Sequence, residues 1–307
     1  MISKDLIDYI ASKAKVANTI LVEKDFIIQS LLLRLSKNNY FMDNYVFKGG
    51  TCLIKCYLGY YRFSEDLDFT YKNQGIFRNK NQTAIRKILS SEISKLMEII
   101  ADICDNLGLD FAARKNNRRY VEIGGSNRFL TLKAWYKSSV DGKEYFIKLQ
   151  LNFVEDIMYK LLRKSAHPLI EEIDKKEIIS LFPEEFEVLL SRPALDAYDI
   201  REILLEKMRA ILTRRGVKER DFVDVYLITK KLNKNLSAFK ENIILKTIFM
   251  LKYEKYRENL EEKKKLKEWI TPGQEQYLLL KPLNGFEQFL IDTKPFLNGL
   301  VKEILEK

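Results

Sequence analysis

The 307-residue chain has few of the residues on which metal-thiolate and histidine chemistry depend. It contains one histidine, His167, and three cysteines, Cys52, Cys56 and Cys104. Cys52 and Cys56 are four residues apart, but no second pair completes a zinc site. His167 stands beside Pro168 in a loop-like stretch, which is typical of a surface residue. We therefore expect reduced thiols in a cytosolic protein, and chemistry that does not depend on histidine.

Long apolar runs are also missing. None approaches the roughly 20 residues that a membrane span requires. The N-terminus, MISKDLIDYI, is amphipathic and acidic, which is not the pattern of a signal peptide. With 46% hydrophobic and 31% charged residues, the chain has the composition of a globular protein. We expect a cytoplasmic protein with no membrane partner.

What the chain has in excess is positive charge. Lysine and arginine total 53 against 43 acidic residues, a formal net charge of +10. Such an excess suits a polyanionic partner such as RNA, DNA or nucleotide phosphates. The basic residues cluster in three stretches, RKNNRR (114–119), TRRGVKER (213–220) and EEKKKLKEW (261–269). For the last stretch, a solvated lysine-rich face is the simpler interpretation.

Hydrophobic periodicity divides the chain into a mixed part and a helical part. Helical spacing over residues 3–37 and 82–107 alternates with strand-like runs. VDGKE between the last two runs has the Asp-Gly signal of a tight hairpin. Past residue 156 the pattern is almost wholly helical. We therefore predict an α+β fold, with a mixed domain over residues 1–160 and a helical domain over residues 161–307. The predicted strands are 44–47, 62–71, 119–125, 127–137 and 144–154.

Two aspartates alternate with apolar residues in the stretch RFSEDLDFT. Asp66 and Asp68 fall on one side of the predicted strand, with side chains roughly 6–7 Å apart. Charge in a strand is costly unless it is compensated, and paired carboxylates are suited to divalent metals such as Mg²⁺. The alternative is a solvated edge strand whose acids face water.

Upstream of the aspartates, Gly49 and Gly50 precede a predicted helix that starts at Thr51. Glycines let a backbone approach a ligand closely, and a helix start directs free N–H groups at an anion. A plain tight turn is the alternative for the glycines. Taken in this order, the phosphate signal and the metal signal together indicate a nucleoside triphosphate site.

The stretch FKGGTCLIKCYLGYYRFSEDLDFT (47–70) resembles the signature of the AbiEii/AbiGii nucleotidyltransferase toxins, a family within the polymerase-β-like nucleotidyltransferase superfamily. Two further stretches are similar to that family. They are LVEKDFIIQSLLLRL (21–35) and REILLEKMRAILTRRGVKERDFVDVYLI (201–228). The resemblance spans residues 20 to about 230, and the last seventy residues have no motif that we can match. It implies a polymerase-β-like core, a small mixed sheet flanked by helices, over residues 1–160.

The resemblance also implies a reaction and a set of site residues. A nucleoside monophosphate is transferred from an NTP to an acceptor. Asp66 and Asp68 are implied to be catalytic and to bind the metal, Mg²⁺ or Mn²⁺. The NTP phosphates are implied to contact Gly49, Gly50, Thr51 and Ser64.

The family's lysine and downstream aspartate fall on Lys207 and Asp221, with Asp224 one turn later. A lysine near the triphosphate offsets charge on the phosphoryl oxygens. Asp221 then either orients that lysine or acts as base for an acceptor hydroxyl. The alternative is that Lys207 belongs to an exposed helix face and that Asp221 is a charge at a helix N-terminus, where it favours the helix dipole.

The chain departs from the superfamily pattern at one place. Many members have a third metal-binding carboxylate on a neighbouring strand. In FIKLQLNF the candidate positions hold Lys148, Gln150 and Asn152. Either two aspartates suffice here, or metal binding is weaker than usual, or the site is degraded.

The implied function is that of a toxin in a toxin–antitoxin system with a role in phage defence. By resemblance to members that modify tRNA, the acceptor is the 3′ end of tRNA, and its modification blocks translation. The implied partners are NTP, tRNA and an antitoxin encoded nearby. One alternative acceptor is a protein hydroxyl. The other alternative is a non-catalytic protein of this fold that binds nucleotide or RNA.

Overall fold

A computed structural model of the chain describes residues 2–77, 80–125, 127–266, 269–270 and 279–307. Within these ranges it contains twelve α-helices and seven β-strands. The helices are α1 Lys4–Ala14, α2 Thr19–Ser36, α3 Asn39–Asn44, α4 Gly49–Leu53, α5 Gln82–Asn106, α6 Lys175–Leu181, α7 Phe186–Leu190, α8 Ile200–Thr213, α9 Glu219–Leu232, α10 Lys240–Leu251, α11 Glu254–Lys263 and α12 Phe286–Glu306. The strands are β1 Tyr45–Lys48, β2 Asp66–Tyr71, β3 Val121–Gly124, β4 Phe129–Lys137, β5 Glu144–Asn152, β6 Leu162–Ser165 and β7 Ala194–Ala197.

The chain divides into two compact units. The first contains residues 1–155 and 161–197, and the second contains residues 156–160 and 198–307. All seven strands belong to the first unit, whereas the second is helical. Residues 161–197, which the sequence assigned to the helical domain, group with the sheet. The division into domains at residue 160 stays a prediction.

All seven strands form one mixed sheet in the order β3-β4-β5-β2-β1-β7-β6. β2 pairs antiparallel with β1 and parallel with β5, so it lies in the interior of the sheet. β4 and β5 pair antiparallel around the Asp141-Gly142 turn, where Gly142 has a φ of 74°. The hairpin predicted from VDGKE is therefore confirmed, and so is the α+β fold.

The two faces of β2 have opposite character. Leu67 and Phe69 are 0% and 1% exposed and point into the core. Leu149 and Leu151 of β5 stand beside them in the strand register and are equally buried. Because side chains alternate along a strand, Asp66 and Asp68 must lie on the opposite face. The predicted alternation is confirmed.

Two short strands were not predicted. The sequence indicated an almost wholly helical region past residue 156, which is wrong for β6 and β7. Each has only four residues, and β7 reads ALDA, without the β-branched or aromatic residues that mark strands. β7 is a strand because it pairs with β1 on one side and β6 on the other. Pairing with distant residues overrides the weak local preference.

The helical periodicity over residues 3–37 corresponds to two helices, α1 and α2. Lys15 ends α1 in the left-handed conformation, with a φ of 56°. Asn18 then caps α2 by accepting a hydrogen bond from the backbone N–H of Leu21 at 3.2 Å. The helix predicted over residues 82–107 is α5, whose N-cap is Asn81.

A buried ion pair joins two helices of the second unit. The Lys246 ammonium of α10 lies 2.7 Å from a carboxylate oxygen of Glu202 in α8, and both side chains are 0% exposed. The other oxygen of Glu202 accepts hydrogen bonds from the backbone N–H groups of Met158 and Tyr159, each at 2.9 Å. These bonds satisfy the buried carboxylate.

Two sequence-based expectations for this region extend to residues that the structure does not describe. Residues 267 and 268 of the third basic stretch, and residues 271–278 of the predicted helical tail, lie outside the described residues. None of the described helices is long and apolar enough to cross a membrane.

Candidate functional site

The candidate site in the first unit centres on the polar face of β2. Asp66 and Asp68 share that face and are half-buried. The strand register places Lys148 of β5 beside Asp66, and the two charged groups are 3.8 Å apart. Lys48, at the end of β1, stands opposite Asp68. Because β2 is paired on both sides, the interpretation of the acids as part of an edge strand is wrong.

Gly49 lets the Asp68 carboxylate lie against the backbone. It has a φ of 76°, in the left-handed region that favours glycine. A Cβ added there would lie 2.2 Å from Asp68 Oδ2, far inside van der Waals contact. Glycine is therefore required at this position for two independent reasons, the backbone conformation and the close carboxylate.

Gly50 makes room for a buried arginine. A Cβ at this position would lie 2.6 Å from Nη2 of Arg62, which is 2% exposed. Another guanidinium nitrogen of Arg62 donates to the backbone carbonyl of Phe63 at 2.7 Å. The glycine pair thus contacts one carboxylate and one guanidinium rather than forming an open turn.

Thr51 and Ser64 join α4 to the start of β2. The Thr51 hydroxyl is 2.8 Å from Ser64 Oγ and also hydrogen-bonds to the backbone carbonyl of Asp66. Thr51 is 1% exposed. The predicted helix start at Thr51 is wrong, because α4 begins at Gly49 and passes into a wider π-helical turn over Ile54–Leu58. Gly49, Gly50, Thr51 and Ser64 are thus brought together beside the two aspartates.

The register of β5 shows what replaces a third carboxylate. Lys148, Gln150 and Asn152 stand beside Asp66, Asp68 and Thr70, respectively. In the part of the chain that the structure describes, no group of three or more histidine, cysteine, aspartate or glutamate side chains could hold a metal ion. The donors on the polar face are therefore the paired carboxylates, with the Gln150 amide beside them.

Sequence reasoning missed a buried acid near this face. Glu155 follows β5 and is 4% exposed, and its carboxylate lies 3.9 Å from the Lys48 ammonium. The Asn152 amide is 3.5 Å from the same carboxylate. Because Lys48 directly precedes Gly49, the sequence could have indicated that Lys48 lies near this face. No feature of the sequence indicated Glu155.

The second unit brings Lys207 of α8 together with Asp221 and Asp224 of α9. The Lys207 ammonium lies 2.8 Å from Asp221 Oδ1 and 2.6 Å from Asp224 Oδ2. The three side chains are 13%, 3% and 0% exposed. The Arg214 guanidinium contacts the other oxygen of Asp221. The interpretation of Lys207 as part of an exposed helix face is therefore wrong.

The charge balance of this cluster sets the protonation of Asp221. Burial on its own would raise the pKa of the carboxyl, because it disfavours the charged form. The attraction of Lys207 and Arg214 outweighs burial, and the pKa of Asp221 lies below its ordinary value. Asp221 is thus an ionised carboxylate with a weak tendency to take up a proton.

The remaining sequence expectations concern cysteine and histidine. Cys52, Cys56 and Cys104 are all reduced thiols, and the first and last are buried. Burial raises the pKa of Cys104 to about 12, so this thiol is unreactive. His167 is half-exposed, and its Nδ1 lies 3.2 Å from a Glu171 carboxylate.

Sequence reasoning also missed a buried lysine network in the first unit. Lys55 lies in the π-helical turn and is 2% exposed. Its ammonium is 3.0 Å from Asp25 and 3.2 Å from the Gln29 amide oxygen, and it also contacts the Tyr60 hydroxyl. Burial lowers the pKa of Lys55 against the opposing effect of Asp25. With all its donors satisfied, this network holds α2 against the turn that follows α4.

Three comparisons relate the chain to known proteins. The family model described as nucleotidyl transferase AbiEii toxin, type IV TA system, matches residues 30–296. A search of curated proteins finds no match. The crystal structure of JHP933 from Helicobacter pylori is similar, with 14% identity over 92% of this chain and 91% of that chain. Its TM-score of 0.42 is too low to support a conclusion. Since the family model spans most of the sequence, the chain belongs to the AbiEii family, the nucleotidyl transferase toxins of type IV toxin–antitoxin systems.

Proposed function

We propose that this AbiEii toxin transfers a nucleoside monophosphate from an NTP to the 3′ end of tRNA in a metal-dependent reaction. The observation that carries the proposal is the arrangement of Asp66 and Asp68 on one face of an interior strand, with Gly49 against Asp68. Blocking the 3′ end prevents aminoacylation and so halts translation. The partner that restrains the toxin is an antitoxin encoded nearby, and the cellular role is phage defence.

The chemistry of the donor set fits a divalent cation. Asp66 and Asp68 are half-buried carboxylates on one face, and Mg²⁺ commonly uses one or two carboxylates together with substrate phosphates. Gln150, beside Asp68 in the register, offers an amide oxygen where other superfamily members have a carboxylate. The Lys148 ammonium near Asp66 is about one-third exposed, so a cation can displace it. Asp66 and Asp68 would hold Mg²⁺, or Mn²⁺ in its place.

The transfer exchanges a phosphoanhydride bond of the NTP for a phosphodiester bond to the acceptor. The acceptor hydroxyl oxygen forms a bond to the α-phosphorus, the bond to the bridging oxygen breaks, and pyrophosphate leaves. Bound Mg²⁺ would neutralise phosphate charge and favour ionisation of the acceptor hydroxyl. Gly49, Gly50, Thr51 and Ser64 form the phosphate-binding segment, whose rigidity comes from the buried Thr51 contacts.

Lys207 and Asp221 complete the set of catalytic residues that the family resemblance implies. Lys207 supplies positive charge to the phosphoryl oxygens, where charge develops during transfer. Asp221 has a lowered pKa and already contacts two cations, so it is poorly suited to accept a proton. Between the two roles left open for Asp221, orientation of Lys207 is therefore favoured over general base.

The choice of RNA as acceptor rests on charge. The chain carries a formal net charge of +10, and phosphate contacts give affinity for RNA that does not depend on sequence. The resemblance to members that modify tRNA narrows the acceptor to tRNA.

The test is incubation with each of the four α-³²P-labelled NTPs, Mg²⁺ and total tRNA. We expect label on tRNA with the unchanged protein and none with Asp68→Ala. Glu65→Gln is the matched control, because this substitution also removes one acid next to Asp66. The Glu65 carboxylate pairs with Lys24 at 2.8 Å. The control should label tRNA normally.

Each other outcome would overturn a defined part of the proposal. Label on protein instead of tRNA would move the acceptor to a protein hydroxyl. Absence of label from every substrate, with NTP still bound, would favour a nucleotide-binding protein without activity. In that case Gln150 in place of a third carboxylate would be the explanation. Equal labelling by Asp68→Ala would remove Asp68 from the mechanism.

A further inference from the structure

The basic stretch at residues 114–119 contains two kinds of cation. Arg119 is neutralised, since its guanidinium lies 3.1 Å from Asp110 and 2.9 Å from Glu144, and it stacks 4.3 Å from the Trp135 ring. In the described part of the chain, Arg114 and Arg118 are exposed and form no ion pair. Arg119 therefore has a structural role, whereas the charge of the other two arginines is available to a ligand.

Of these two arginines, Arg118 lines a groove between α5 and β3 that has a volume of about 760 Å³, and Lys115 lines it as well. That volume is within the range of ligand sites. The residues that matter for its chemistry are Ser90, Lys115, Asn116, Arg118, Ile123 and Asn127. The Lys115 ammonium is held in place by the backbone carbonyl and hydroxyl of Ser90, at 2.8 Å and 3.0 Å. Glu122, the acid in the lining, is paired with Lys133 and does not offset these cations.

The groove lies far from the carboxylates of β2. β3 is three strands away from β2 in the sheet, which is roughly 14 Å at the usual strand spacing. In addition, the register from Val121 through Leu132 and Leu149 leads to Leu67, on the face opposite Asp66. A ligand that reaches both places must be a large polymer that passes around the β3 edge of the sheet.

We propose that this groove binds the sugar-phosphate backbone of the acceptor RNA, at a point distant from the end that reacts. The inference rests on the proposed RNA acceptor. Cations and side-chain amides are the groups that contact phosphate and sugar oxygens, and protein–nucleic acid interfaces are polar and positively charged. An acidic protein is the less suitable ligand, because the described lining has no aromatic side chain to serve as an anchor.

The experiment measures tRNA affinity over a range of salt concentrations. The groove variant Lys115→Gln/Arg118→Gln removes two positive charges. Its matched control, Lys175→Gln/Lys176→Gln, removes two positive charges from the exposed start of α6, so the two double variants have the same net charge. We expect the slope of log affinity against log salt to fall by about 2 in the groove variant, one for each lost phosphate contact. The control should follow the unchanged protein.

A second variant guards against local unfolding of the groove. Asn116→Glu places a negative charge on an exposed turn and leaves the bonds of Lys115 to Ser90 intact. It should weaken tRNA binding while the melting temperature stays the same. Poly-L-glutamate at equal charge serves as a competitor that carries no sugar or base, and it should displace tRNA poorly.

The outcomes separate the groove from the proposed function. If the unchanged protein binds tRNA and both groove variants bind it equally well, the groove inference is overturned and the RNA acceptor stands. If the unchanged protein does not bind tRNA, both are overturned. Efficient displacement by poly-L-glutamate would overturn the nucleic-acid assignment in favour of an acidic protein ligand.

Discussion

The carboxylates of β2 and those of α9 are both candidates for the reaction, but the protein surrounds them in opposite ways. Asp66 and Asp68 are half-buried. The Lys148 ammonium lies 3.8 Å from the Asp66 carboxylate, and the Lys148 side chain is about one-third exposed. Asp221 and Asp224 are 3% and 0% exposed, and both contact the Lys207 ammonium within 2.8 Å. The α9 acids are neutralised from within the fold.

The difference separates two uses of the same side chain. A buried carboxylate with a protein cation as partner contributes to stability and orients that cation. A half-exposed carboxylate on a polar strand face keeps the capacity to attract a cation from solution. We therefore expect loss of a β2 acid to reduce activity with little effect on stability, and loss of an α9 acid to reduce stability as well as any activity that depends on Lys207. Mutations can test each half of this expectation.

The largest expected effect is on catalysis, at Asp68. Asp68→Asn keeps the shape of the side chain and removes its charge. We expect the rate of nucleotidyl transfer to fall by about 10³-fold, the size of effect seen when a preorganised electrostatic group is lost. The free energy of unfolding should change by less than about 1 kcal/mol, because the group is partly solvated. A normal transfer rate in this variant would remove the distinction between the two pairs.

The converse effect is expected at Asp224. Asp224→Asn leaves the Lys207 ammonium with one of its two carboxylates in a nearly dry environment. Breaking a buried ion pair costs about 3 kcal/mol or more, which urea unfolding measures directly. Asp66→Asn is the control, since it removes the same charge from a half-exposed position. Equal stability of the two variants would show that burial does not distinguish them.

A smaller effect is expected at Gly49, where backbone and carboxylate meet. Gly49→Ala forces a Cβ into the space of Asp68 Oδ2 and displaces the carboxylate. Gly59→Ala is the matched control, because Gly59 has a φ of 71° and nothing within 4 Å of the added Cβ. Both changes should cost about 1–3 kcal/mol of stability for the strained backbone, and Gly49→Ala has the added cost of the overlap with Asp68.

Only Gly49→Ala should also slow nucleotidyl transfer, because it alone moves Asp68. The two variants are compared in the same transfer assay, at a temperature at which both are fully folded. If Gly59→Ala slows transfer as much as Gly49→Ala does, the contact between Gly49 and Asp68 has no part in activity.

The sequence predicts the placement of Asp66 and Asp68 on one strand face better than it predicts the sheet around them. Alternation alone places Asp66 and Asp68 on one face, because the period of a strand is fixed at two residues. Alternation is a local pattern, so a single stretch of sequence contains it. The position of Lys148, Gln150 and Asn152 on a strand beside β2 was implied by the family resemblance instead, and that strand is β5.

The parts that the sequence did not predict depend on distant residues. β7 is a strand because β1 and β6 pair with it, not because ALDA favours one. Arg62 lies against Gly50 and Glu155 near Lys48 only after the chain has folded. The Lys55 network joins residues 25, 29, 55 and 60 across two elements, and no local spacing indicates it.

The smallest expected effect sharpens the α9 half of the comparison through pH. The pKa of Asp221 is lower in the folded chain than its ordinary value, because Lys207 and Arg214 outweigh the effect of burial. Between the folded and ordinary pKa values the unfolded chain binds more protons, so this carboxyl favours folding as pH rises. Its contribution is complete above about pH 4 and is lost as the pH falls toward the folded pKa.

We expect Asp221→Asn to flatten the dependence of the unfolding free energy on pH below about 4 and to leave the slope at higher pH unchanged. The same change at the exposed Asp102 of α5 is the control. If Asp102→Asn flattens the acid limb as much as Asp221→Asn does, the cations beside Asp221 do not set its protonation, and the α9 acids lose their distinct role in stability.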